Sequence, residues 1–580
     1  MNRREAVLAF GGLPLSLYLG GCDLVARTSK PTVPMISPLV DVHCHLFNGS
    51  DLPSVRFIKI VVLHHYPRQG IQTLDIRDAD ALDGLIALLT AILGRTRAPK
   101  AIDEIAVLQG RSSAVAMNGR SNANESAVVG ATADFLTQNQ FAVAGDVSDN
   151  ALRTIRRSIF AAAGLSGIGV SDAPLPSDEA TALAQRAYRS DVDLGLILRW
   201  FALFTRYRYV LADQLWTDHA RQGFPPLLLC PAAIDYDRWL GENVDGSPLP
   251  LQVDVMGALA RRSSGPVIHG YVGFDPLRQV YFETGKYKDF DPLGLVRRAI
   301  RDEGFLGVKL YPPMGFRPIG NETAACQTYP EVVLGDLFPS PAQEPTSANC
   351  SPRPAAGSVA LAKLLDRAMA KLFDTCVDED ASVIAHANRS NDAGPDYSQR
   401  GDPAHWIPVF LRWPRLRVCL AHFGHFSEVS AGTPVGAQLP DASWEWALGR
   451  YIKQAGDPPV FADVSYLTEV SGAEPASLEA YAAVLRRWLS EFDPECRHLM
   501  FGTDWTMLGL DRSYEGYTAR LHTFFKDVMK FDRPRLDRLF FGNAGRFLGL
   551  RQDDKARARL LEFYARNKLS PSRLPLIAAA

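Results

Sequence analysis

The strongest constraint on the fold is a series of short apolar runs that recur along residues 39–501. Most are continuous apolar stretches without alternation, which is typical of parallel strands covered on both faces. Amphipathic stretches of helical periodicity separate most of them, as at Leu295–Glu303, Val359–Val377 and Leu478–Glu491. The eight runs are Leu39–His43, Leu227–Cys230, Val267–Val272, Leu306–Leu310, Ser382–Ala385, Leu416–Ala421, Val460–Val464 and His498–Phe501.

Eight strand–helix units predict an α/β fold, specifically a closed (β/α)8 barrel of the TIM type. A doubly wound open sheet is the alternative, but no glycine-rich phosphate-binding sequence follows any of the runs. Residues 72–222 predict a large, mostly helical insertion between strands 1 and 2, and residues 317–357 predict a long structureless loop after strand 4. We therefore expect one barrel domain over residues 39–550 and a helical extension over residues 551–580.

The long loop contains two cysteines, Cys326 and Cys350. In an oxidising compartment they could form a disulfide that closes the loop. Two unrelated thiols are the alternative, and the sequence leaves the choice open.

The first 38 residues differ in character from the barrel. A charged start that contains Arg3-Arg4 precedes a short apolar run ending at Leu19-Gly20-Gly21-Cys22. This segment resembles a bacterial lipoprotein signal with a lipobox, and the arginine pair resembles a twin-arginine export signal. The resemblance implies a signal over residues 1–22, a tether over 23–38, and lipidation of Cys22 that anchors the protein at the periplasmic side of the cell envelope. An uncleaved N-terminal anchor is the alternative.

Composition excludes one class of partner. The chain has 62 Lys and Arg against 64 Asp and Glu, a formal net charge of −2. It therefore has no global field that would attract nucleic acid. We expect a small-molecule substrate, contact with a membrane through the N-terminal lipid, and no nucleic acid, and the oligomeric state stays open.

Metal-binding and titratable side chains follow several predicted strands at their carboxyl ends, where barrels place catalysis. The first strand leads into His43-Cys44-His45, and because side chains alternate along a strand, both imidazoles lie on one side. Such a pair suits a divalent metal of the zinc type. The fifth, sixth and eighth runs are followed by or end near His386, His422 and Asp504. Each position alone is more often structural, but the joint pattern predicts a metal-dependent active site.

The order of these residues resembles the amidohydrolase superfamily, and more closely its amidohydrolase-related branch of metal-dependent hydrolases and decarboxylases. The resemblance spans about residues 39–550, without the helical insertion. The further motifs that carry it are Phe305–Pro313, Gly273–Pro276 and Phe541–Leu548. It implies one divalent metal, with Zn favoured over Mn or Fe, and the implied ligands are His43, His45, His386 and Asp504.

The resemblance also implies roles for neighbouring residues. Asp504 would hold a water molecule and accept its proton, and His422 would be an acid/base or a substrate contact. Lys309 stays open between a structural role, a substrate contact and, in the less favoured case, a carboxylated lysine that bridges a second metal.

Three further residues are candidates for substrate binding. Tyr311 and Arg317 follow Lys309 on one loop, and Arg389 follows His386 by three residues. An arginine near the mouth of the site suits a carboxylate substrate. A surface salt bridge is the alternative for either arginine.

The leading functional prediction is metal-dependent hydrolysis of a C–N or C–O bond of a small molecule, such as an amide, lactam or lactone. A non-oxidative decarboxylase on the same scaffold is the first alternative. A lipid-anchored binding or assembly protein with a vestigial site is the second.

Overall fold

In the computed structural model, eight strands lie at the eight apolar runs of the sequence. Their bounds are β1 (Leu39–Cys44), β2 (Pro226–Pro231), β3 (Tyr271–Gly273), β4 (Gly307–Leu310), β5 (Ser382–His386), β6 (Val418–Ala421), β7 (Val460–Asp463) and β8 (Leu499–Met500). The prediction of eight strands from continuous apolar runs is therefore confirmed at each position.

The structure describes residues 38–53, 57, 98–111, 200, 202–235, 237–241, 244, 246–324, 326–339, 350–351, 353–390, 392–394, 397–423, 443–467, 470, 475–510 and 514–577. Cys22 with the predicted export signal, and most of the predicted insertion, lie outside these residues. None of the helices in the described residues has the length and apolarity that crossing a lipid bilayer requires.

The strands are parallel and follow one another in chain order. β3 to β8 form a six-stranded sheet, and β1 pairs with β2. Parallel bridges also join β2 to the β3 region, at Leu229–Ile268 and Ala232–Tyr271, and join Cys44 of β1 to Trp505 after β8. The α/β class and the parallel arrangement predicted from the sequence are thus confirmed.

The longer connections between strands are mostly helical. The helices of the described residues are α1 (Ala101–Leu108), α2 (Arg208–Arg221), α3 (Asp237–Leu240), α4 (Leu249–Ala260), α5 (Pro276–Glu283), α6 (Pro292–Asp302), α7 (Glu331–Leu337), α8 (Ser358–Asp378), α9 (Ile407–Arg412), α10 (Trp444–Ala455), α11 (Pro475–Phe492), α12 (Tyr517–Thr523), α13 (Arg533–Asp537), α14 (Asn543–Leu548) and α15 (Lys555–Arg566). The predicted helices at 295–303, 359–377 and 478–491 correspond to α6, α8 and α11.

The strands are buried on both faces except at Leu227 of β2, and their apolar residues divide between two clusters. Val383 of β5 packs in the larger cluster with helices such as α8, whereas Ile384 packs in the smaller one. Phe461 of β7 belongs to the smaller cluster too. Because side chains two apart share a face, His386 and Asp463 extend this inner face to the carboxyl ends of their strands. The sheet pattern therefore delivers polar groups to one end of an apolar interior.

The stretch predicted as a structureless loop is partly ordered, so that prediction is wrong over α7. Val333, Leu334 and Leu337 are buried, and their burial offsets the cost of ordering this short helix. Cys326 and Cys350 form a disulfide with their Cα atoms 5.3 Å apart, which resolves the open question about these two thiols.

A buried ion-pair network connects the segment after β1 to the region before β2. The Arg208 guanidinium at the start of α2 pairs with Asp51 and, at 2.9 Å, with Glu104 of α1. All three side chains are buried. Since a buried charge without its partner is costly, the network fixes α1 and α2 next to the loop that follows the first strand.

Candidate metal centre

The centre is built where the first strand meets the segment after the last one. Asp504 donates its backbone N–H to the carbonyl of His43 at 2.7 Å. Its side-chain Oδ1 then lies 3.1 Å from Nε2 of His45 and 3.5 Å from Nε2 of His43. The donor atoms of these three buried residues all lie within 4.8 Å of one another.

The second nitrogen of each imidazole is engaged on the far side of the ring. Nδ1 of His45 lies 3.0 Å from the carbonyl oxygen of Ala232, which can only accept a hydrogen bond. Nδ1 of His43 lies 3.1 Å from a carboxylate oxygen of Asp463. Both Nδ1 atoms therefore carry the hydrogen, and both Nε2 atoms keep a lone pair on the side where Asp504 lies.

Two lone pairs and a carboxylate oxygen that converge in a buried space repel one another unless a cation lies beside them, and within the protein only the Lys309 ammonium, 2.8 Å from Nε2 of His43, supplies such a charge among the described residues of the centre. Neutral imidazole Nε2 and carboxylate oxygen are donors that Zn²⁺ and related ions accept. Hydrogen bonds that orient a histidine ring from behind are a usual feature of metal sites. The residues present therefore fit a divalent metal.

Gly502 allows the strands to approach at this point. A Cβ atom on Gly502 would lie 2.9 Å from the Cβ of His43 and 3.2 Å from that of Ser465. Any larger residue here would displace His43.

Lys309 enters the centre from β4. Its Nζ lies 2.8 Å from Nε2 of His43 and 5.0 Å from the centroid of the Tyr311 ring. Burial lowers the pKa of Lys309 to about 8, although the charges of Asp504 and Asp463 oppose the decrease. An amine with this pKa changes its charge close to neutral pH.

His386 and His422 form a hydrogen-bonded pair beside the triad. Nε2 of His422 lies 3.1 Å from Nδ1 of His386, and Nε2 of His386 lies 3.0 Å from the Ser390 hydroxyl. Burial lowers the pKa of His422 to about 3. Burial also lowers the pKa of His386 well below its usual value, and the nearby His422 and Lys309 add to this decrease. His386 is in neither of the two compact donor groups found among the described residues.

The backbone is left-handed at two positions of the centre. His422 has a φ of 66° and Asp504 a φ of 57°. Such conformations cost on the order of 1–3 kcal/mol in residues other than glycine and cluster at functional sites. They turn both side chains into the interior just beyond the ends of β6 and β8.

The two buried carboxylates of the centre, Asp504 and Asp463, remain ionised. Burial alone would raise the pKa of Asp504, but the nearby imidazoles of His422, His43 and His45 hold it well below its usual range. Burial likewise opposes ionisation of Asp463, and its neighbour His43 and the hydrogen bond from His43 hold its pKa well below the usual range.

Asp463 and Ser465 are parts of the centre that the sequence analysis missed. His43, His422 and Asp463 form the second compact donor group, and Ser465 lies between them. The signal was present, because Asp463 closes β7 at the end where the other candidates lie. Ser465 follows two residues later on the same side.

The predicted substrate-binding residues are placed at different depths. The Tyr311 ring stacks with His386 at a centroid distance of 5.9 Å. Arg317 is partly buried, whereas Arg389 is exposed with its guanidinium 5.2 Å from the Trp444 ring centroid. Burial raises the pKa of Asp402, and the charges of Arg389 and Arg317 oppose this rise. The two arginines therefore lie around one carboxylate outside the buried cluster.

Residues 294–550 match the family model described as Amidohydrolase. This match supports the amidohydrolase superfamily. The amidohydrolase match includes β4 to β8 and so Lys309, His386, His422, Asp463 and Asp504, while His43 and His45 precede it. No curated protein sequence matches the chain.

Similar solved structures include an amidohydrolase from Burkholderia multivorans with bound zinc, at 15% identity and a TM-score of 0.32, covering 60% of this chain and 91% of that one. Another is the 5-carboxyvanillate decarboxylase of Sphingomonas paucimobilis, at 13% identity and a TM-score of 0.32, covering 60% and 85%.

Proposed function

We propose that this chain is a metal-dependent hydrolase that cleaves a C–N or C–O bond of a small molecule, such as an amide, lactam or lactone. One observation carries the proposal: two Nε2 lone pairs and the Asp504 carboxylate converge in a buried space, with both Nδ1 atoms engaged elsewhere. The amidohydrolase match over residues 294–550 supports the reaction class.

The proposal includes a closed (β/α)8 barrel with the insertion between its first two strands. The parallel bridges from β2 to the β3 region and from Cys44 to Trp505 support closure, because they link the strand pair to both edges of the six-stranded sheet. In such a barrel the centre lies at the carboxyl ends of the strands.

His43, His45 and Asp504 would hold the metal, with His386 as a further ligand that the resemblance implies. When bound, a divalent metal polarises a carbonyl group and makes water more acidic. The ionised Asp504 would accept the proton of the attacking water. The unprotonated Nε2 of His422 would then accept or return a proton beside it.

Lys309 would bind a substrate carboxylate as an ammonium, because most of it is protonated below its pKa of about 8. Tyr311 would line the same space, and Arg317 and Arg389 would attract the carboxylate from the mouth. A carboxylated Lys309 that bridges a second metal is less favoured. The second donor group is already hydrogen-bonded internally through Ser465.

The second candidate function is non-oxidative decarboxylation. The cationic groups Lys309, Arg317 and Arg389 favour it, since they could hold the carboxylate that is lost. A vestigial binding protein is the third reading, and the buried donor group of His43, His45 and Asp504 speaks against it.

We further propose export and lipid anchoring at Cys22, with the protein on the periplasmic side of a bacterial envelope. The lipobox-like Leu19-Gly20-Gly21-Cys22 supports anchoring. The disulfide between Cys326 and Cys350 supports an oxidising compartment.

Elemental analysis of the purified full-length protein tests the metal proposal. We expect about one equivalent of Zn, Mn or Fe, and a loss of most of it in Asp504→Asn. Asp457→Asn is the matched control, because Asp457 pairs with the surface residues Arg497 and Arg546. Metal retention by Asp504→Asn would contradict the proposed ligand set.

Product analysis then separates the two reactions. A panel of lactones, lactams and amides should release acid, followed in a pH-stat, whereas aromatic carboxylates should release no CO₂. Release of CO₂ with no hydrolysis would favour the decarboxylase.

A further inference from the structure

Asp463 has more hydrogen-bond donors around it than a purely structural carboxylate at a strand end needs. It is fully buried at the end of β7. Oδ1 accepts from the backbone N–H groups of His422 and Ser465, each at 3.1 Å, and from the Ser465 hydroxyl. Oδ2 faces Nδ1 of His43 at 3.1 Å and Sγ of Cys419 at 3.5 Å.

This arrangement fixes the position of each hydrogen. The Ser465 hydroxyl donates to Asp463, so its oxygen can only accept from the imidazoles beside it. Nδ1 of His422 lies 3.0 Å from that oxygen and must therefore be the protonated nitrogen of its ring. Nδ1 of His43 is protonated for the same reason, because all its neighbours are acceptors.

The consequence lies at the opposite nitrogens. Nε2 of His43 keeps its lone pair and lies 2.8 Å from Nζ of Lys309 and 3.5 Å from Oδ1 of Asp504. Nε2 of His422 is a lone-pair acceptor that points at His386. One buried carboxylate and one hydroxyl thus set the orientation of a metal-ligand candidate and of an acid/base candidate together.

We propose that Asp463 and Ser465 are positioning residues that hold His43 and His422 in the tautomer with hydrogen on Nδ1. The inference rests on the proposed function, because the tautomer with hydrogen on Nδ1 is the one that lets Nε2 of His43 bind a metal. It goes further in assigning roles to two residues that the family resemblance did not include.

The decisive substitution is Asp463→Asn, which is nearly isosteric. An amide NH₂ can donate to Nδ1 of His43, and the hydrogen then moves to Nε2. Replacing the aspartate behind a histidine by asparagine is known to leave geometry intact while selecting the wrong tautomer. An Nε2–H cannot ligate a metal, so the centre would lose a donor without losing its shape.

The first readout needs no metal. The full-length protein is stripped of metal with a chelator and labelled with ¹⁵N-histidine for NMR. The His43 signals are assigned by their absence from the spectrum of His43→Gln. In the parent protein we expect these signals to show the hydrogen on Nδ1. We expect Asp463→Asn to move it to Nε2, and Asp457→Asn to leave it unchanged. A His43 signal that is the same in Asp463→Asn and the parent would overturn the proposal.

The second readout is Zn²⁺ affinity, measured by competition with a chromogenic chelator. Loss of such an orienting partner typically weakens binding roughly 10- to 100-fold, which is the change we expect for Asp463→Asn. Parent protein that binds no Zn²⁺ would refute the proposed function, while the tautomer shift would still decide the present inference.

Ser465→Ala carries the test if Asp463→Asn does not fold. It removes the acceptor of His422 and leaves the contact between His43 and Asp463. We therefore expect a changed ¹⁵N signal for His422, an unchanged tautomer for His43 and a smaller loss of Zn²⁺ affinity than in Asp463→Asn. An unchanged His422 signal would overturn the role of Ser465.

Discussion

The buried histidines among the described residues differ in their electrostatic environments. His269, remote from the centre, places Nδ1 2.7 Å from the carbonyl of Gly304 and Nε2 3.0 Å from the Tyr564 hydroxyl. Burial lowers the pKa of His269 to about 4. It therefore connects the segment before β3 to α15 as a neutral group.

This depressed pKa predicts a pH dependence of stability. Between pH 6.5 and 4 the unfolded chain binds a proton at His269 that the folded chain does not, so stability is lost as the pH falls through this window. From pH 7 to 5 the loss should be about 2 kcal/mol. Urea denaturation at several pH values measures the free energy of unfolding of the parent and of His269→Gln. We expect the variant to lack this part of the pH dependence. An identical dependence in both proteins would contradict the assignment.

Most residues of the candidate centre could be predicted from the sequence, but the two residues that contact its histidines from behind could not. His43, His45, His386, His422 and Asp504 could be selected because they are metal-binding types at strand ends. Asp463 and Ser465 could not be separated from ordinary strand-end residues. Their role depends on which nitrogen of His43 they face, and that is decided by packing between β1 and β7.

Among the elements, α1 and α2 are joined by buried charges. Arg208 lies between Asp51 and Glu104, and Tyr209 donates its backbone N–H to Glu104 at 2.7 Å. The guanidinium thus holds two elements and the loop after β1 in one position.

Removing Arg208 should therefore be costly. We expect Arg208→Met to lower the free energy of unfolding by about 3–5 kcal/mol, because two buried carboxylates lose the cation that neutralises them. Arg301→Met is the control, since Arg301 pairs with Glu379 at the surface and should cost less than about 1 kcal/mol. Chemical denaturation of both variants gives the comparison, and equal effects would refute the importance of the network.

The disulfide should stabilise the connection between β4 and α8. It closes a loop across a sequence separation of 24 residues. The chain-entropy relation gives about 3 kcal/mol for a loop of this size. We expect the Cys326→Ser, Cys350→Ser double variant to lose stability by this order in calorimetry, and dithiothreitol to have the same effect on the parent and none on the variant.

The sequence predicted strands better than connections. A strand buried on both faces leaves a continuous apolar run, so β1 to β8 could all be located. A short helix such as α7 leaves only three buried residues in a stretch rich in proline and serine. Its order comes from contacts with the core and from the disulfide, neither of which has a local pattern.

For the molecule as a whole, the proposed lipid anchor makes a direct prediction. Cys22→Ser should move the protein from the membrane fraction to the soluble fraction of cells that express it, because acylation requires the thiol. Immunoblots of the two fractions check this, with Cys44→Ser as a control because Cys44 is buried in β1. Membrane retention of Cys22→Ser would favour an uncleaved anchor instead.

The position of the centre along the chain also determines when it can form during synthesis. His43 and His45 emerge from the ribosome first, but their partner Asp504 follows only after most of the protein has been made. The first and last strands must meet before the three donors are adjacent. A nascent or truncated chain that ends before Asp504 therefore has no complete centre, and the proposed metal binding would be a late event that requires the whole domain to be made.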